Sequence, residues 1–256
     1  GLDDNDLTIS DDAIEAVIGY YTREAGVRKL EQQIGKICRK AVKKLLENTE
    51  RPIEVTKQNL EEYLGKERFH FEKMNEQDEI GVARGLAWTS VGGDTLSIEV
   101  NVMPGSGKVE LTGKLGDVMK ESAMAAISYI RANSQKLGIA ENFHKTKDIH
   151  IHVPEGAVPK DGPSAGITMA TAVVSALTKN PVRNDIAMTG EISLKGKALA
   201  IGGLKEKSMA AYKAGCDTVI IPQDNKKDLD EKNFLDWICD VNRFNSNFCR
   251  RSSDKY

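Results

Sequence analysis

The spacing of apolar residues changes once along this chain, and that change limits the possible folds more than any other feature. Before residue 66 the spacing is helical, and from Gly85 onward short alternating segments are separated by turn residues, as in strands. Residues 66–79 between them are charged and have no repeat. The sequence therefore predicts a helical unit followed by a mixed unit.

The first 66 residues are predicted to form a small α-helical subdomain. A short helix is expected to begin after Ser10 and to end near Tyr21. An extended piece is expected over residues 53–55, followed by a helix that begins after Thr56 and stops at Gly65. The strongest helix between them has one apolar stripe, formed by Val27, Leu30, Ile34, Ile37, Ala41 and Leu45. A linker is expected over residues 67–84.

Residues 85–231 are predicted to form a mixed α/β domain, so the fold class is α+β. Strands over 86–91, 95–103 and 108–112 look antiparallel, with a turn at Gly92-Gly93-Asp94. The pattern then predicts a helix at 117–136, a strand at 149–153, a helix at 164–178, a hairpin over 186–201, a helix at 204–214 and a strand at 218–221.

Composition excludes several classes of protein. The formal net charge of -2 gives no general attraction to nucleic acid or an anionic membrane. The basic helix over residues 27–44 is a candidate DNA surface but is more typical of a solvated face, so DNA is possible but not indicated. Four scattered cysteines favour a reducing, cytoplasmic setting over a zinc site or disulfide framework. We expect a soluble protein with no membrane partner, since no apolar run reaches about 18 residues.

The chain starts with Gly1 and continues directly into helix-like sequence, so we expect a fragment of a longer polypeptide. None of its five Gly-Lys pairs has the spacing of a phosphate-binding loop. The chain alone is therefore not expected to hydrolyse ATP.

Ser164 is a candidate nucleophile, because it lies at the start of an apolar helix with Pro163 in the first turn. Free backbone amides at such a helix start can stabilise an oxyanion. A simple helix start explains the same residues equally well. The Gly162-x-Ser164-x-Gly166 pattern also matches the nucleophile elbow of α/β-hydrolases, but all four histidines precede the serine, and chain order rejects that class.

Lys207 is a candidate general base. In helical projection it shares the apolar face of Leu204, Ser208, Ala210, Ala211 and Ala214, where it is the only charge. Full burial lowers the pKa of a lysine from about 10.4 by as much as about 3–5 pH units, which suits a base near neutral pH. The alternative is a lysine whose stem packs while its ammonium group reaches solvent.

Three segments, residues 159–166, 188–196 and 201–207, together resemble the Lon protease family. The resemblance covers roughly residues 5–231 and implies an ATP-dependent endopeptidase that works as a hexameric ring. Such enzymes degrade misfolded and short-lived regulatory proteins, so unfolded proteins and other copies of the chain are the implied partners. Ser164 and Lys207 align with the catalytic serine and lysine of the family.

The resemblance also assigns a role to the helical unit, which looks like the small subdomain of the ATPase module of Lon. Arg28 matches the family's sensor arginine, which reaches a nucleotide bound by the large ATPase subdomain. ATP with magnesium is therefore implied for the full-length protein, and no bound cofactor is expected for this chain alone.

Five further residues are expected to support the site. Thr189 is either a partner of Lys207 or an ordinary strand threonine. His150 and His152 should point to the same side of one strand and make hydrogen bonds, together with Glu99. No metal is expected, because a third ligand is missing. Asp161 is expected to cap a helix or to pair with Lys207 in an inactive form.

After Glu231 the sequence departs from the family, and the tail over residues 232–256 is predicted to be divergent and poorly ordered. A competing hypothesis treats the chain as an assembly module without activity, since the resemblance also implies that the same scaffold occurs in a recombination ATPase without the serine and lysine. The presence of both Ser164 and Lys207 favours the enzyme.

Overall fold

The computed structural model describes residues 2–3, 5–24, 26–47, 51–69, 77–154, 160–229 and 238–241, the last range as backbone only. The chain divides into two compact units. The first comprises Gly1–Glu72 with Ser90–Gly92, and the second comprises Lys73–Thr89 with Gly93–Tyr256. The architecture is α+β, as predicted.

The helical unit is built around one long helix. Its elements are strand β1 (Leu7–Ile9), helix α1 (Asp11–Ala16), a π-helical turn (Val17–Tyr21), helix α2 (Arg28–Leu46), strand β2 (Ile53–Val55), a 3-10 turn (Lys57–Asn59) and helix α3 (Leu60–Leu64). Strands β1 and β2 pair in parallel, and β1 was not predicted from the sequence. The predicted stripe buries Ile37 and Ala41 fully, whereas Val27 precedes the helix and is 72% exposed.

The second unit is a mixed sheet with helices. Its elements are β3 (Val82–Thr89), β4 (Gly92–Pro104), β5 (Val109–Thr112), α4 (Asp117–Ala132), a 3-10 turn (Gln135–Leu137), α5 (Phe143–Thr146), β6 (Lys147–His152), a 3-10 turn (Pro163–Ala165), α6 (Gly166–Thr178), β7 (Ile186–Met188), β8 (Glu191–Ile192), β9 (Ala198–Leu199), α7 (Leu204–Lys213), β10 (Thr218–Pro222), a 3-10 turn (Gln223–Asp228) and β11 (Ile238–Val241). Seven strands form one sheet in the order β11-β10-β7-β3-β4-β6-β5.

Three details of the predicted second unit are wrong. Strand β6 lies between β4 and β5, so β5 is parallel to its neighbour β6. The chain turns at Ser90 and Val91, and the glycines expected in the turn belong to β4. Only β8 and β9 form a hairpin over residues 186–201, because β7 joins the large sheet between β10 and β3.

Alternation along the strands places apolar side chains on both faces of the sheet. Ile98, Ile151 and Ile220 belong to a large cluster that includes residues of α4 and α6. The next residue on β10, Ile221, belongs to a second cluster with Leu204 of α7. Helix α7 therefore packs on the face of the sheet opposite α4 and α6.

The predicted tail is described only over residues 238–241, where β11 pairs in parallel with β10. The prediction of a poorly ordered tail is therefore wrong for these four residues. The other residues of the tail lie outside the described part of the chain. None of the helices in the described part of the chain is both long and apolar enough to cross a membrane.

Candidate active site

Ser164 lies in the tight turn Pro163–Ala165 that leads into α6. Gly162 has a φ of 116°, which an L side chain rarely adopts, and this lets the chain bend just before the serine. The Ser122 hydroxyl on α4 donates to the Pro163 carbonyl oxygen at 3.1 Å. Ser164 is half-buried, while Ala165 is 5% exposed, so the turn rests on the core and leaves the serine near the surface.

The segment after β7 is bonded to both sides of this turn. The Gly190 N–H donates to the Ser164 carbonyl at 2.7 Å, and the Ile167 N–H donates to the Gly190 carbonyl at 3.0 Å. The Thr168 hydroxyl of α6 donates to the Met188 carbonyl at 3.3 Å. These bonds fix the position of Thr189 beside the Ser164 turn.

Helix α7 presents Lys207 to the interior, as helical projection predicted. The lysine is 3% exposed, and every neighbour assigned to the same face is buried, namely Leu204, Ser208, Ala210, Ala211 and Ala214. Burial lowers the pKa of Lys207 to about 8, because desolvation penalises the ammonium form. The alternative of an ammonium group that reaches solvent is therefore wrong.

Thr189 connects the two residues. The Lys207 Nζ donates to the Thr189 hydroxyl at 3.2 Å, and that hydroxyl donates to the Ser164 carbonyl oxygen at 3.3 Å. The predicted bond between Lys207 and Thr189 is thus present. The described residues include no direct bond between the Ser164 hydroxyl and Lys207; such catalytic bonds often shorten only when substrate binds.

Asp161 caps a helix, but not the one that follows Ser164. Its carboxylate accepts the Met119 N–H in the first turn of α4 at 3.1 Å and the Gly162 N–H at 2.8 Å. Within the described part of the chain it forms no ion pair with Lys207. The sequence did not indicate α4 as the partner, because the first turn of that helix lies more than 40 residues away in the chain.

The two predicted histidines share one hydrogen-bond partner. His150 Nε2 and His152 Nδ1 lie 2.8 and 2.7 Å from the hydroxyl of Thr112 on β5, and Glu99 lies opposite His152 in the sheet register. Sequence reasoning missed Thr112, since its position depends on the distant pairing of β5 with β6. Among the described residues, no group of three or more His, Cys, Asp or Glu is arranged to hold a metal ion.

Arg28 is the first residue of α2 and is exposed. The carboxylate of Glu24 already accepts the Lys29 and Leu30 N–H groups at this helix start, each at 2.9 Å. A phosphate would meet that carboxylate instead of free amides. The Lys29 and Leu30 amides at this helix start are therefore not available to a phosphate.

Comparison with known proteins identifies both parts of the chain. Residues 54–234 match the model of the Lon protease C-terminal proteolytic domain, and residues 1–53 match that of the Lon protease AAA+ ATPase lid domain. The chain is 56% identical over 231 residues to a Lon protease of Heliobacterium modesticaldum and 57% identical over 231 residues to Lon protease 1 of Bacillus subtilis. It is 60% identical over 232 residues to a Lon protease of Haemophilus influenzae.

These matches cover 90% of this chain but only 28%, 30% and 29% of the three relatives. The chain thus spans under a third of their length. On the strength of the two family models and of this identity, the chain belongs to the Lon protease family and carries its proteolytic domain.

Proposed function

We propose that this chain is a serine endopeptidase in which Ser164 is the nucleophile and Lys207 the general base. The observation that carries the proposal is the buried Lys207, which Thr189 joins to the Ser164 turn. Burying an ammonium group without a countercharge costs stability. A scaffold that serves only in assembly gains nothing from a buried lysine. A general base gains the lowered pKa that burial produces.

The chemistry follows from the protonation state of Lys207. Its neutral amine takes the proton of the Ser164 hydroxyl, and the alkoxide attacks a peptide carbonyl. We assign the oxyanion to backbone amides of the Ser164 turn itself, because the Gly166 and Ile167 amides of α6 already donate to the carbonyls of Pro163 and Gly190. The protonated Lys207 then gives its proton to the leaving amine, and water releases the acyl group.

In the longer protein this site belongs to an ATP-dependent protease that forms a hexamer in the cytoplasm and degrades misfolded and short-lived regulatory proteins. The match to the lid domain and the position of Arg28 at the start of α2 support this part of the proposal. ATP bound by the large ATPase subdomain would supply the energy for unfolding substrates, while Ser164 and Lys207 carry out the cleavage.

DNA binding is not part of the proposal. Two basic residues of α2 bond within the helical unit: Lys40 donates to the Glu62 carbonyl at 3.1 Å, and Lys44 to the Glu62 carboxylate at 2.6 Å. These two lysines therefore make contacts within their own unit.

The test combines two readouts over pH 6 to 9: labelling of Ser164 by a fluorophosphonate probe, and cleavage of an unfolded, fluorescently quenched peptide. We expect both rates to rise with pH around a midpoint near 8, because Lys207 loses its proton there. Ser164→Ala and Lys207→Ala should abolish both. Lys205→Ala, at an exposed position of the same helix, is the matched control and should keep them.

Equal labelling and cleavage in Lys207→Ala and in the unchanged chain would exclude Lys207 as the base. Equal rates in Ser164→Ala would assign the activity to another group.

A further inference from the structure

Helix α7, which carries Lys207, packs against strands β3 and β4. Leu86 of β3 lies in one buried cluster with Leu204 and Ala211 of the helix. The ring of Trp88 lies against Gly203, the residue before the helix, where an added Cβ would be 2.9 Å from the ring carbon Cγ. The first turn of α7 is therefore fixed from one side by β3.

Gly93 on β4 makes the closest approach to this helix. A Cβ at residue 93 would lie 1.9 Å from the Glu206 carbonyl oxygen, 2.5 Å from its carbonyl carbon and 3.1 Å from the Ala210 Cβ. Carbon and oxygen atoms meet comfortably only at about 3.3 Å or more. Glycine alone therefore lets β4 touch the backbone of α7, and the contact is at the residue before Lys207.

The φ of Gly93 is not in the left-handed region, in contrast to the 120° of Gly92. Alanine is therefore acceptable to the backbone at residue 93, and its only cost there is the collision with α7. The need for glycine at this position comes from packing and not from a turn.

We infer that Gly93 is a positioning residue for the proposed general base: its lack of a side chain lets β4 hold α7 at the depth that keeps Lys207 buried. Only the expected effect of Gly93 on catalysis rests on the proposed function. The effect on the burial of Lys207 is a property of the fold and can be measured separately.

A methyl group at residue 93 has to move the backbone at Glu206 by about 1 Å or more, because the contact distance must grow from 1.9 Å. Water then reaches Lys207, and the ammonium form becomes less costly. Other elements packed on α7 carry charges, Arg84 on β3 and the 3-10 turn residues Asp224, Lys226, Lys227 and Asp228. Burial is nevertheless the cause of the lowered pKa, so hydration is what changes it.

The experiment compares Gly93→Ala with Gly202→Ala in the full chain. Gly202 lies beside the same helix, and an added Cβ there meets no atom within 4 Å. The pKa of Lys207 is measured directly by NMR titration of 13C-labelled lysine, with the signal assigned by its loss in Lys207→Ala. Ser164 labelling by the fluorophosphonate probe is followed over the same pH range.

We expect the pKa of Lys207 to rise in Gly93→Ala from about 8 toward the ordinary value of about 10.4, and to stay near 8 in Gly202→Ala. A rise of one pH unit lowers the neutral fraction at pH 7, and with it the labelling rate, about tenfold. The acidic limb of the labelling profile should move to higher pH by the same amount.

A folded Gly93→Ala protein with an unchanged Lys207 pKa would overturn the inference. If that variant does not fold, Ala210→Val, which adds bulk to the same contact from the helix side, takes its place under the same criterion. A raised pKa with unchanged labelling would support Gly93 as the residue that keeps Lys207 buried and would contradict Lys207 as the base.

Discussion

At the scale of single residues, the buried Lys207 lowers the stability of the folded protein whenever its ammonium group is charged. Its pKa falls from 10.5 in the unfolded chain to about 8 in the folded one, so the unfolded state binds more protons between these values. Stability should therefore rise by up to about 3 kcal/mol as the pH increases from 8 to 10.5. Below pH 8 the penalty is constant.

Lys207→Met substitutes an unbranched apolar side chain that is one heavy atom shorter, and it removes this titration. We expect the variant to be inactive but more stable than the unchanged chain at pH 7, and the difference to shrink as the pH approaches 10.5. Urea unfolding at pH 7, 8, 9 and 10 measures it. A difference that is independent of pH would mean that Lys207 is hydrated in the folded protein.

Thr189 should affect catalysis through its hydroxyl. In Thr189→Val the Lys207 amine loses its hydrogen-bond partner and the Ser164 carbonyl loses a donor, while the shape of the side chain is kept. We expect Ser164 labelling to slow by about tenfold or more, which corresponds to one lost hydrogen bond of about 1.5 kcal/mol. Thr189→Ser retains the hydroxyl and should recover most of the rate, and failure to do so would point to packing as the role of Thr189.

The candidate site was predictable where its residues are defined locally. Lys207 was found by projecting the eleven residues 204–214 onto a helix, and Ser164 by its place at a helix start. The contacts of Asp161 and Thr112 were not predictable, because they depend on α4 and on the pairing of β5 with β6. Helical spacing reports which face of an element is buried, but it does not report which distant element covers that face.

At the scale of elements, the turn between β4 and β5 is built around one carboxylate. The Asp148 Oδ1 accepts the backbone N–H groups of Ser106, Gly107 and Lys108 at 2.8, 2.9 and 2.8 Å. The bonds from Lys108 and Ser106 contribute most to lowering the pKa of Asp148. The turn is thus stabilised by the ionised form of a residue on β6.

Asp148→Asn should lower the urea midpoint at pH 7, because a neutral amide oxygen is a weaker acceptor for three N–H groups. A carboxyl whose pKa is lowered by folding stabilises the protein at any pH above its pKa in the unfolded state. This contribution is lost as the pH falls through its pKa in the folded state. The difference between variant and unchanged chain should therefore vanish in strong acid. Persistence of the difference at low pH would assign it to packing.

Most elements followed from the sequence, and the errors have one physical origin. Glycines at 92 and 93 predicted a turn, yet Gly93 is needed where β4 meets the backbone of α7. The strand order was missed because β6, far along the chain, lies between β4 and β5. Local sequence specifies that a strand forms, whereas long-range packing decides its neighbours.

At the scale of the whole molecule, each unit has a separate hydrophobic core. The core of the helical unit includes Ile37, Val55, Leu60 and Tyr63, and none of these belongs to the clusters of the second unit. The match to the lid-domain model ends at residue 53, whereas Val55, Leu60 and Tyr63 follow it. A helical unit cut at residue 53 would therefore lose part of its core and should not be stable.

Separate cores predict separate responses to a cavity. Ile37→Ala removes a fully buried side chain from α2 and should cost the helical unit about 2–5 kcal/mol. Hydrogen exchange should then speed up for the amides of α2 and α3 and stay unchanged for those of α4 and α6, because domains with their own cores open independently. Ser164 labelling should also be unchanged. Equal loss of protection in both units would show that the two cores unfold as one, and the helical unit would then contribute directly to the stability of the proteolytic site.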